Sequence, residues 1–81
     1  MDTTPGPSLA TLKNGRSCKV LSVLGGPCLA GRLEVLGIRP GKLLIKLSGS
    51  FLNGPVTVQV GSSRVAMGFR MATRVMVEEV G

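Results

Sequence analysis

The chain contains no histidine, tryptophan or tyrosine, only two phenylalanines, and four acidic residues among 81. Each shortage removes a class of function. Histidine is the commonest general base and a leading zinc ligand, so most hydrolase triads and most zinc sites are excluded. The acids are Asp2 in a Pro/Gly segment, Glu34, and the adjacent Glu78 and Glu79. Two positioned catalytic carboxylates are hard to assemble from that set, so no catalytic residue is assigned and no enzyme is expected. Apolar runs stop at three residues or so, as in Leu43-Leu44-Ile45, and no segment is expected to insert into a membrane. Residues 1–8 have neither a basic stretch nor an apolar core. They are not expected to be a signal peptide, which makes the cytoplasm the default compartment. There Cys18 and Cys28 are expected to be reduced thiols. Two cysteines ten positions apart, without histidine, do not have metal-site spacing, and no metal or cofactor is expected.

What the chain does have is 43% hydrophobic and 17% charged residues, with twelve glycines and five prolines. That is too apolar for disorder and too short for a second core. Residues 1–8 read as a flexible tail and residues 9–81 as one domain. Short apolar segments alternate with Gly-centred turns, the pattern of a small β-rich fold. The first strand is expected over Ser17–Leu24. Its apolar phase shifts near Leu21–Ser22, where a bulge would let Cys18, Val20 and Val23 all face inward. One helix is expected over Cys28–Leu36, with Leu29, Leu33 and Leu36 on its inner face and Cys28 and Val35 outward. Pro27 suits its start, Gly37 its C′ cap with Ile38 returning toward Leu33, and Pro40-Gly41 a type II turn. Lys42–Leu47 alternates, with Leu43, Ile45 and Leu47 expected inward and Lys42, Leu44 and Lys46 outward. A loop over residues 48–54 leads through Pro55 into a strand with Val56, Val58 and Val60 inward. A tight hairpin at Gly61-Ser62-Ser63 begins the next strand, Gly68–Thr73 fits one 3₁₀ turn, and Arg74–Glu79 forms the last strand. The fold class is therefore all-β: a small, partly open barrel of about five strands, with a short helix after the first and a 3₁₀ turn before the last.

Arg32-Leu33-x-x-Leu36-Gly37-Ile38-x-Pro40-Gly41 is the most informative stretch. It is followed by Gly54-Pro55-Val56-Thr57-Val58 and Ala72-x-x-Val75-x-Val77, and preceded by Leu9-x-x-Leu12-x-x-Gly15 and Cys18-x-Val20. From Leu9 to Glu79 the chain resembles the FeoA family, small cytoplasmic accessory proteins of bacterial ferrous iron transport. The resemblance implies an SH3-like β-barrel and a partner, the GTP-hydrolysing iron permease FeoB, contacted on its cytoplasmic side. It implies no catalytic residues and no iron site. A similar barrel forms the C-terminal domain of iron-dependent repressors, so a metal- or effector-sensing module is an alternative function.

Ten Lys and Arg against four acids give a net charge of +6. Small basic barrels bind nucleic acid, which is a further alternative. It is disfavoured because single-strand binders stack bases on aromatic side chains, and this chain has almost none. The charge suits solvation, or attraction to an acidic protein or an anionic membrane surface, with Lys42 and Lys46 on one strand face. Phe51 and Leu52 stand in a Gly/Ser/Asn-rich loop, where they either fold back over the barrel end or form an exposed contact patch. With Cys28, Val35 and Leu44 they are the candidate surface for a partner or for self-association into a homo-oligomer.

Overall fold

The computed structural model describes residues 8–49 and 51–80. Among them, five strands form one antiparallel sheet: β1 (Ser17–Val23), β2 (Leu43–Gly49), β3 (Val56–Val60), β4 (Ser63–Met67) and β5 (Val75–Val80). Their order in the sheet is β4-β3-β2-β1-β5, and it is not closed. Helix α1 (Gly26–Val35) follows β1, a tight turn spans Phe51–Asn53, and a short helix α2 (Phe69–Thr73) precedes β5.

The local signals explain most of these elements. The β1–β5 register slips between Val20 and Ser22, so the expected bulge is present. It keeps Cys18 and Val20 in the core and packs Val23 against it, while Leu21 is exposed. Helix α1 begins with Pro27 in its first turn and ends in a Schellman motif: Gly37 N–H donates to Glu34 C=O and Ile38 N–H to Leu33 C=O, both at 2.9 Å. Gly37 has φ +88°, and Leu33 and Ile38 are both fully buried. That left-handed cap is why a glycine follows the last helical turn. Pro40-Gly41 makes the expected turn, closed by Lys42 N–H to Arg39 C=O at 3.0 Å. On β3, Val56, Val58 and Val60 are buried, as their alternation predicts. Val60 pairs with Ser63, leaving a two-residue hairpin loop.

Four expectations are corrected. First, β2 is in the opposite phase: Leu44 and Lys46 are each 1% exposed, whereas Leu43 is 60% and Ile45 39% exposed, and Leu47 is half-buried. Register explains this, because Leu44 lies opposite buried Cys18 and Lys46 opposite buried Val58. Paired residues share a face, so β2 must turn the same positions inward. Second, Ser8 is not part of a tail. It is buried and bridges to Met76 of β5, and its carbonyl accepts from Thr11 and Leu12 N–H at 3.1 and 3.0 Å. The rest of the expected tail, residues 1–7, lies outside the described residues. Third, α2 is a turn of α-helix rather than 3₁₀, because Ala72 N–H reaches back four residues to Gly68 C=O at 3.1 Å. Burial of Ala72 on that turn ties it to the core. Fourth, Leu29 is only half-buried and Leu36 is exposed, so Leu33 alone anchors α1 fully.

Candidate functional site

Of the seven residues singled out from the sequence, the structure describes the side chains of six, and it places some in solvent and others in the core. Cys28 and Val35 are exposed, Val35 at 86%, and stand seven residues apart on α1, hence on one side of it. Leu52 is 85% exposed in the turn beyond β2; of the two fates open to it, it forms exposed surface. Phe51's side chain lies outside the described residues. Helix α1 is joined to β2 through residues 36–42, and Leu52 stands in the turn after β2. Lys42 is half-buried at the start of β2, its carbonyl accepting from Val20 N–H at 2.9 Å. Leu44 and Lys46 face the interior, so as side chains they offer no surface.

Lys46 has a different task. Its Nζ donates to the carbonyls of Ala10 at 3.2 Å and Leu12 at 2.6 Å. The turn through residues 8–12 is packed against the barrel, and two of its carbonyl oxygens point inward. A buried carbonyl without a donor is costly, and a lysine on a long stem can reach two of them from a strand. Burial also pushes the Lys46 ammonium below its ordinary pKa. The backbone of Lys46 completes the clamp, donating to Arg16 C=O at 3.0 Å and accepting from Gly15 N–H at 2.6 Å.

The cysteines separate in the same way. Cys18 is fully buried, and desolvation pushes its thiol from 9.0 up to about 11, whereas Cys28 is exposed. Among the described residues no three of the side chains Cys, Asp and Glu come together as a metal-binding group. The turn holding Leu52 is unusual, since Leu52 (φ +53°) and Asn53 (φ +59°) are both left-handed without being glycine. Asparagine tolerates that region, but leucine there carries a steric cost of about 1–2 kcal/mol.

The surface that sequence reasoning missed lies on the outer side of the sheet. Leu43 and Ile45 border a groove of about 280 Å³ shared with Ser17, Gln59, Gly61 and Val80. The available signal was the unbroken triplet Leu43-Leu44-Ile45, which cannot be buried on one face of a strand whichever phase is chosen.

This geometry presents exposed apolar side chains on an open SH3-like barrel. Comparison with known structures agrees. A crystal structure of an iron uptake regulatory protein, FeoA, superimposes with a TM-score of 0.81 at 32% identity, covering 90% of this chain and 95% of that one. The solution structure of a FeoA protein from Chlorobium tepidum gives 0.82 at 28% identity, covering 93% and 71%. The repressor ScaR with bound Zn²⁺ gives 0.83 at 18% identity, covering 99% of this chain and 40% of that one, a likeness of fold. No curated protein matches. The FeoA domain matches residues 8–79, and the chain belongs to the FeoA family.

Proposed function

We propose that this chain is a non-enzymatic accessory protein of ferrous iron uptake, acting in the cytoplasm by contact with the cytoplasmic side of a FeoB-type permease. The observation that carries this reading is the family match over residues 8–79. Two features support action by contact: several large apolar side chains are left in solvent, and no helix among the described residues is long and apolar enough to cross a membrane. Fe²⁺ is the permease's cargo in this scheme, and the present chain acts on the carrier.

Capture of the purified cytoplasmic domain of the permease, run beside RNA and DNA gel shifts at physiological salt, tests it. The expected result is saturable capture of the permease domain and no shift of nucleic acid. Tight nucleic-acid binding that weakens steeply with salt, with no permease capture, would overturn it. Leu52→Ala is a useful first variant, because an exposed turn residue contributes little to the core. If Leu52 anchors the contact, affinity falls about thirtyfold while the unfolding midpoint is unchanged.

A further inference from the structure

The inverted phase of β2 leaves a second surface whose composition core packing does not explain. Strand pairing aligns Val80, Ser17, Ile45, Gln59 and Arg64 in one row across all five strands. The neighbouring row runs Glu78, Lys19, Leu43. Continuing the Ile45–Gln59 pairing by two residues brings Gly61 opposite Leu43. Gly61 has no side chain, and the space above it is open. The row therefore drops away beside Leu43, leaving the groove of about 280 Å³ whose apolar lining includes Leu43, Leu44 and Ile45. A solvated sheet face ordinarily carries polar side chains at such positions.

Two cations and one acid stand around this groove. Lys19 stands next to Leu43, and Arg64 closes the row beyond Gln59; both are exposed. The one salt bridge among the described residues is Arg16–Glu79 at 3.5 Å, so neither Lys19 nor Arg64 is ion-paired there. Glu78, opposite Lys19, is the acid on this face. Gln59 Nε2 donates to Gly61 C=O at 3.1 Å, which steadies the groove's outer wall.

We propose that the outer face of β1, β2 and β3 is a docking surface for a segment of a protein partner that presents one or two apolar side chains flanked by carboxylates. The apolar anchor sits on Leu43 and Ile45 beside Gly61, and the carboxylates meet Lys19 and Arg64. The volume lies at the small end of the usual range for small-molecule pockets, roughly 300–1,000 Å³, a size that one or two side chains of a larger partner fill. A second copy of this chain is the poorer occupant, because it would set Lys19 and Arg64 against themselves on a chain of net charge +6. The face also lacks the aromatic platform that single-stranded nucleic acid needs. The inference deepens the permease reading and rests on it for the identity of the partner, but the chemistry of the groove can be tested separately.

Amide NMR of the full chain with two probes makes that separation. One probe is the permease's cytoplasmic domain, and the other is a synthetic peptide alternating glutamate and leucine. With both, the largest shifts are expected at Ser17, Leu43, Ile45, Gln59 and Gly61. Ile45→Glu is expected to weaken binding thirtyfold or more. Ile45→Thr keeps the β-branch, guards against a folding artefact, and should weaken binding about tenfold. Lys19→Glu combined with Arg64→Glu should slow association about tenfold at low salt and flatten its salt dependence. If both Ile45 variants bind the permease domain like wild type, the groove proposal is overturned and the permease reading stands. If wild type ignores the permease domain, that reading fails. The groove then survives only if the acidic peptide still shifts Leu43, Ile45 and Gln59, and is overturned if it does not at millimolar concentration. Concentration-dependent shifts at the same residues in the chain alone, abolished by Ile45→Glu, would assign the face to self-association and also overturn the proposal.

Discussion

Chemically similar side chains have opposite fates in this molecule, and the two cysteines show it most directly. Cys18 is fully buried with its thiol pushed up to about 11, and Cys28 is exposed. A thiol reacts as the thiolate and only where a reagent can reach it. One thiol is therefore expected to react with a disulfide reagent under native conditions and the second only after denaturation; rapid labelling of two would contradict the structure. The same burial couples Cys18 to stability. Unfolded, this thiol ionises near 9.0; folded, it holds its proton to about 11. Between those pH values the folded state binds more protons, so this contribution falls as pH rises. Cys18→Ala removes it. Denaturation at pH 8 and pH 11 should find the variant gaining on wild type, by up to about 3 kcal/mol across the window. Lys46, lowered by burial, acts in the opposite direction in both proteins and cancels from the comparison.

At the scale of elements, two glycines mark where backbone geometry decides the fold. A Cβ at Gly37 would keep φ at +88° and come within 3.0 Å of Val60 Cγ1, a side-chain atom that can yield. Gly37→Ala should cost about 1–2 kcal/mol by chemical denaturation. At Gly49 a Cβ would lie 2.5 Å from Val56 Cα and 2.6 Å from Pro55 O, both backbone atoms. Gly49→Ala should cost more, about 3 kcal/mol, and loosen amide protection along β2 and β3. Had the two costs been equal, the close approach at Gly49 would be wrong. The α1 ending was legible in advance because a helix cap is a local device, written in Leu33, Gly37 and Ile38. The β1 bulge was legible because one apolar phase could not serve both Val20 and Val23. The phase of β2 was not, because it depends on which residues of β1 and β3 lie opposite. Alternation favours Leu43, Ile45 and Leu47, and a lysine ordinarily marks the wet side. Register turns Lys46 inward, and the carbonyls of Ala10 and Leu12, brought in from 34 or more residues away, receive its ammonium there. The candidate surface suffered from the same cause: Cys28 and Val35 were recognised as outward and Leu52 was left open between capping the barrel and facing solvent, but Leu43 and Ile45 were assigned to the core they flank.

For the whole molecule, charge and donor chemistry argue against the chain carrying iron itself. It has no histidine, and no three acidic or thiol side chains converge among the described residues. Of its two thiols, one is buried and held in its neutral form. Ferrous iron needs several nitrogen, oxygen or thiolate donors held in one place. Anaerobic calorimetry with Fe²⁺ should therefore show no one-to-one isotherm at micromolar affinity. A saturable isotherm lost in Cys28→Ser would contradict this.

The inward lysine also turns the amino-terminal turn into something that can be watched. Acylating reagents modify amines that water can reach, and Lys13 and Lys19 are in solvent while Lys46 is not. For its Nζ to be acylated, Lys46 must leave the Ala10 and Leu12 carbonyls and give up a proton, so its hold on the 8–12 turn must open. In a mass spectrum of briefly acetylated protein, the fraction modified at Lys46 is thus a clock for that opening, read against the exposed lysines of the same molecule.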